Sequence, residues 1–147
     1  MAKKQKRVKF QKEPNPQKKI KIASPPPEYK GGILAWRFNA VDKGGPFAWS
    51  NLTCSDMHKN VIENLASFET MDEGALKRCG CHNIELDNLC ERAKKRLVDL
   101  KIDDCDGLFS LRLDGKKRVF CIRRPTYMRV LWWDPEHAVC PSKKKHT

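Results

Sequence analysis

Apolar residues fall in three kinds of pattern along the chain, and each predicts a different element. Between Gly31 and Ser50, Ile33, Leu34, Trp36, Phe38, Phe47 and Trp49 flank Gly44-Gly45-Pro46, which reads as a short strand, a tight turn and a second apolar contact capping a core. From Ser55 the period becomes helical. Met57, Val61, Leu65 and Phe68 share one face behind Ser55 as N-cap, and Thr70 with Glu73 has the form of a capping box opening a short helix that Gly80 stops. Ile84 and Leu86 alternate briefly. Asp87 then stands where it can cap a helix whose stripe is Leu89, Ala93, Leu97 and Leu100, with Glu91, Arg92, Lys94, Lys95 and Arg96 on its charged face.

After Asp106-Gly107 the period drops to two. Phe109, Leu111 and Leu113, then Val119 and Cys121, then Val130 and Trp132 are separated by Asp114-Gly115 and Pro125-Thr126, which predicts a three-stranded antiparallel meander. Register follows from the first turn. A strict two-residue Asp114-Gly115 loop would set Leu111 opposite Arg118, whereas including Lys116 with a bulge sets Leu111 opposite Val119 and keeps the apolar side chains on one face. Arg112 then lies opposite Arg118. A tight turn at Pro125-Thr126 would pair Val119 with Trp132 and Arg118 with Trp133, giving a face opposite the helices that carries two arginines and a stacking indole. Facing guanidiniums repel unless an anion or carboxylate lies between them, so this face reads as a phosphate-binding surface or as an ion network closed by Asp134 or Glu136. The expected fold is α+β, N-terminal helices packed on a C-terminal meander.

Charge divides the 147 residues unevenly. The formal net charge is +12, of which residues 1–32, with nine Lys and one Arg against Glu13 and Glu28, carry +8. That segment also holds five of the nine prolines and few residues able to fill a core, so it reads as a disordered basic arm. Lys143, Lys144 and Lys145 form a second basic tail over 143–147, and the single domain expected over 33–142 is nearly neutral. Basic tails of this kind raise affinity for phosphate backbones without reading sequence, which makes nucleic acid the simplest partner. Seven cysteines cannot all pair, and free thiols point to a reducing, cytoplasmic setting. No window approaches the run of about 18 apolar residues that a membrane span needs.

Candidate chemistry is sparse. Cys79, Cys81, His82 and Cys90 offer four soft ligands, but their spacing is tighter than structural zinc pairs use, so no metal or other cofactor is expected. Gly44-Gly45-Pro46 lacks the Gly-Lys-Ser/Thr of a phosphate loop, and no hydrolase, zincin or dinucleotide signature occurs. Cleavage of RNA by its own 2′-OH needs a base, fixed cations and an acid, without metal. Arg118 and Arg112 supply charge, His137 can transfer a proton, and Asp134 or Glu136 can orient it or act as base. Lys116, Lys117, Arg123 and Trp133, with Lys143, Lys144 and Lys145, complete the nucleic-acid-binding set.

The run Leu108-Phe109-Ser110-Leu111-Arg112-Leu113, then Lys117-Arg118-Val119-Phe120-Cys121-Ile122, Val130-Leu131-Trp132-Trp133 and His137-Ala138-Val139-Cys140-Pro141 resembles the RelE/ParE superfamily of bacterial toxins over roughly residues 85–142, about 40% of the chain. The resemblance implies a small α+β domain and, in the RelE branch, a metal-free endoribonuclease that cuts mRNA in the ribosome and is held by a small acidic antitoxin. Arg118 matches that branch's strand arginine and His137 its terminal position, while Lys116, Lys117 and Arg112 match as nearby basic charge. Cys140 stands where a terminal Tyr is frequent, and about 50 extra residues precede the shared helices. The ParE branch acts on gyrase without cutting RNA. A protein inhibitor of that kind, or a non-catalytic nucleic-acid-binding module on the same basic face, is the alternative.

Overall fold

A computed structural model describes residues 34–141, and the two basic tails expected at 1–32 and 143–147 lie outside them. The described residues form a mixed α+β fold. Strand β1 (Trp36–Arg37) leads through a turn at Trp49–Asn51 to a helical segment made of α1 (Cys54–Asp56), a π-helical stretch (Met57–Ile62) and α2 (Glu63–Phe68). Then come α3 (Glu73–Arg78), β2 (His82–Glu85), a 3-10 turn (Leu86–Asn88), α4 (Glu91–Asp99), β3 (Gly107–Asp114), β4 (Lys117–Arg123) and β5 (Met128–Asp134). The sheet order is β1-β5-β4-β3-β2, antiparallel except for the β1 and β5 pair.

The helix starts differ from expectation by a residue or two, because a cap needs extended backbone before it. Thr53, not Ser55, receives the Asp56 amide at 3.2 Å, and Asp72, not Thr70, receives that of Ala75 at 2.7 Å. Cys90 precedes α4 with no side-chain cap, which moves Leu89 out of the helix and leaves Asp87 in the 3-10 turn. Gly80 does end α3. Its φ of +89° belongs to the left-handed region, and its amide and that of Cys81 return to the Lys77 and Leu76 carbonyls at 3.0 Å.

Helices cover both faces of the sheet. One core gathers Val61, Leu65, Phe68 and Leu76 against Phe109, Leu111, Val119, Cys121, Val130 and Trp133. The other gathers Leu89, Ala93 and Leu97 of α4 with Phe47 against Leu108, Phe120, Ile122, Leu131 and Trp132. The face opposite the first helices is therefore closed over much of its area. Near-continuous apolar runs in β4 and β5 are what a doubly covered sheet requires.

The β3–β4 register is the expected one, with Leu111 opposite Val119, Arg112 opposite Arg118 and an irregularity between Arg112 and Asp114. The β4–β5 register is corrected by one residue. Phe120 pairs with Trp132 but Cys121 with Val130, so Leu131 is the extra residue of a bulge, Val119 faces Trp133 and Arg118 faces Asp134. The shift turns Trp133 into the first core, 2% exposed, where it packs near Trp49 and cannot stack a base.

The loop before the helices is fastened by a buried carboxylate. Asp42 accepts Arg96 Nε at 2.8 Å and Nη2 at 2.7 Å, Trp132 Nε1 at 3.0 Å, and the Gly44 and Gly45 amides at 3.2 and 3.3 Å. These donors hold its pKa at about 2, with the Arg96 bonds contributing most. A Cβ on Gly45 would sit 2.4 Å from Arg96 Nε, so the turn needs glycine for the salt bridge to close. Gly44-Gly45 thus serves packing.

Candidate functional site

Alternation along the strands fixes which charges share a face. Leu111, Val119 and Trp133 point into the first core, so Arg112, Arg118 and Asp134 lie on the α4 face of the sheet. Arg112 is exposed and lies over the turn at Gly80, where a Cβ would come within 3.0 Å of its Cδ. Arg118 is half-buried, and its Nη1 donates to the Gly115 carbonyl at 2.7 Å and the Lys117 carbonyl at 3.0 Å. Burial lowers its pKa and the neighbouring Arg112 lowers it further, against a smaller opposing pull from Asp134. Neither arginine of the pair has a salt-bridge partner among the described residues. The arginine ion pairs formed there belong to Arg96 with Asp42, Arg123 with Glu73 and Arg124 with Asp104.

The carboxylates expected to bridge the pair are occupied elsewhere. Asp134 is 1% exposed and accepts the Ala138 and Val139 amides at 3.0 and 2.9 Å, which folds the chain after β5 back on itself. Glu136 pairs with Lys116 at the surface. Asp134 is thereby a loop anchor, and its acceptor sites are directed at backbone. Within the loop it ties down, His137 has a φ of +57°, a left-handed conformation costing a non-glycine residue about 1–2 kcal/mol. The anchor keeps it there.

His137, Arg118, Lys116 and Glu136 line one open depression of about 390 Å³. His137 and Pro141 also border a larger groove of about 710 Å³, whose walls include His82, Asp87, Asn88 and Ser110. The remaining residues expected at the site lie apart. Lys117 reaches Asp56 at 3.4 Å near the π-helical stretch, and Arg123 lies over the Phe109 ring at 5.7 Å while pairing with Glu73, both on the side of the first helices. Trp133 is in the core, and Lys143, Lys144 and Lys145 fall outside the described residues.

Sequence reasoning considered His82 only as a metal ligand. Its place was readable from β2: Cys81 packs into the first core and Ile84 into the second, so His82 must share the face of Ile84 and of its β3 partner Ser110. Cys90 packs against the second core, across the sheet from Cys81, so these two thiols cannot hold one ion. Among the described residues no group of three His, Cys, Asp or Glu side chains is gathered for a metal, and no helix is long and apolar enough to cross a membrane. Compared with protein-family models, curated proteins and solved structures, the chain matches none of them.

Proposed function

We propose that this protein is a metal-independent endoribonuclease of the RelE type, which holds a phosphate of single-stranded RNA on Arg112 and Arg118 and transfers a proton through His137. The observation that carries the reading is the arginine pair itself. Two arginines paired across β3 and β4, Arg112 exposed and Arg118 half-buried and hydrogen-bonded to backbone, are left without a carboxylate partner among the described residues. Such a pair repels until an anion lies between its members. A pentacoordinate phosphorane carries more negative charge on its equatorial oxygens than the ground-state diester, so fixed cations favour the transition state over the substrate. His137 borders the depression that Arg118 lines, and the Asp134 loop holds it in place.

Arg118→Ala tests the reading. Loss of one preorganised donor to a developing oxyanion costs about 10²-fold or more in rate. The same change removes a like-charge neighbour of Arg112 and two hydrogen bonds to turn carbonyls, so the unfolding midpoint should stay within a few degrees of wild type. Cleavage abolished with the fold intact supports the assignment. Unfolding of Arg118→Ala beside a stable Arg112→Ala would make Arg118 a structural residue and remove the centre of the site. RNA bound with salt-sensitive affinity but never cut would identify a binding module on the same face.

A further inference from the structure

The depression beside Arg118 contains one histidine, whereas transesterification moves two protons: one leaves the 2′-OH and one reaches the departing 5′-oxygen. Neither carboxylate expected as base is available for the second transfer, since Asp134 is engaged by two backbone amides and Glu136 by Lys116. The adjoining groove supplies what is missing. Its wall places His82 and Ser110 side by side across β2 and β3, and His137 stands on the boundary between this groove and the depression that Arg118 lines.

Resting on the endoribonuclease reading, we propose that the groove walled by His82, Ser110 and His137 is the second half of the active site, receiving the ribose whose 2′-OH attacks, with His82 as general base. His82 Nδ1 lies 3.1 Å from the Gly80 carbonyl. A carbonyl can only accept, so this contact assigns the proton to Nδ1 and leaves Nε2 with a free lone pair, the arrangement a base requires. Ser110 is 2% exposed and lines the groove beside His82. At about 710 Å³ the groove lies within the range of small-molecule sites and can admit a nucleoside. Arg112 follows Ser110 two positions along β3 on the same face, so a ribose over Ser110 places its 3′-phosphate toward the arginine pair.

The O2′–H bond breaks with its proton passing to His82 Nε2, and the O2′–P bond forms. The P–O5′ bond then breaks while His137, protonated beforehand, gives its proton to O5′. The products are a 2′,3′-cyclic phosphate and a free 5′-hydroxyl, with His82 one proton richer and His137 one poorer until both exchange with water.

A change of leaving group separates the two histidines. One substrate is a short single-stranded RNA, and the other is a uridine 3′-(4-nitrophenyl phosphate), whose nitrophenoxide departs without a proton. His137→Gln should lose about 10²-fold or more on RNA yet stay within about tenfold of wild type on the aryl ester. His82→Gln should lose about 10²-fold or more on both, because the base acts before the leaving group matters. Added imidazole should restore part of the rate of His82→Gly, a readout that a purely structural histidine would not give. His82→Gln at wild-type rate on both substrates overturns the proposal, as does recovery of His82→Gln on the aryl ester. Both substrates are assayed with and without ribosomes; if wild type cuts neither in either condition, the endoribonuclease reading fails and takes this inference with it. Wild-type cleavage with an indifferent His82 leaves that reading standing and removes only the second half of the site.

Discussion

Replacing Asp42 by Asn keeps the shape of the side chain and removes the charge that fastens the loop before the helices to α4 and β5. Asp42 is 2% exposed and its pKa falls from the ordinary 3.8 to about 2. At ~1.36 kcal/mol per pH unit, that difference is worth about 2.5 kcal/mol of folding free energy. The folded pKa lies below the unfolded one, so the contribution is fully present above about pH 4 and drains away as pH falls toward 2. Asn has one acceptor oxygen, so it can still accept either from the glycine amides, which bond Oδ1, or from Trp132, which bonds Oδ2, while its amide donor faces the other set and one arm of the Arg96 fork. The Arg96 side chain is 24% exposed and can reach water, which keeps the loss below that of a sealed ion pair. The expected cost at pH 7 is about 2–3 kcal/mol, at or below the low end for breaking a buried pair. Urea unfolding of wild type and Asp42→Asn, followed by tryptophan fluorescence at pH 7, 5, 4, 3 and 2, gives the gap directly. Asp56 and Asp104, whose pKa values are also lowered, are common to both proteins and drop out of the difference. The gap should be constant from pH 7 to 5 and narrow steadily below pH 4. A gap that stays the same down to pH 2, or one smaller than about 0.5 kcal/mol at pH 7, would refute the assignment of this charge to the fold.

Three other substitutions or deletions probe the loop anchor, the histidine and the basic segment. Asp134→Ala should cost about 1–3 kcal/mol by stranding the Ala138 and Val139 amides, and cleavage should fall with it because His137 loses its support; an unchanged unfolding midpoint would contradict the loop-anchor role. His137→Gly relieves a left-handed residue, so its thermal midpoint should equal or exceed wild type while cleavage is abolished; a clear drop in midpoint would show that the imidazole contributes to packing. Deleting residues 1–30 removes most of a segment of net +8, and the log K against log[salt] line on single-stranded RNA should flatten by about 0.7 for each phosphate that the segment neutralises; an unaltered slope between about 50 and 200 mM salt would mean that it neutralises none.

Local pattern made some of this structure readable and withheld the rest. The stripe of Met57, Val61, Leu65 and Phe68 marked the first helical segment because the apolar period follows from helix geometry alone. The Arg112 and Arg118 pair emerged from comparing two loop lengths at Asp114-Gly115, since only one kept Leu111 and Val119 on the same side. The bulge at Leu131 carried no comparable signal. Leu131, Trp132 and Trp133 are all large and apolar, and in a sheet covered on both faces a one-residue slip moves an apolar residue from one core to the other without penalty visible in the sequence. That slip decided whether Trp133 or Asp134 faced Arg118. The pairing of Trp36–Arg37 with β5 joins segments about 90 residues apart and likewise has no local cue. Asp134 as an anchor was hidden because its partners are backbone amides, which every residue but proline possesses.

Cleavage of a single-stranded mRNA in the presence of EDTA, with and without ribosomes, decides whether this protein is a metal-independent endoribonuclease. Fragments ending in a 2′,3′-cyclic phosphate and a 5′-hydroxyl are expected in at least one of the two conditions, unaffected by the chelator and reduced by about 10²-fold or more in Arg118→Ala. No cleavage by wild type in either condition, or cleavage that EDTA abolishes, would contradict that reading.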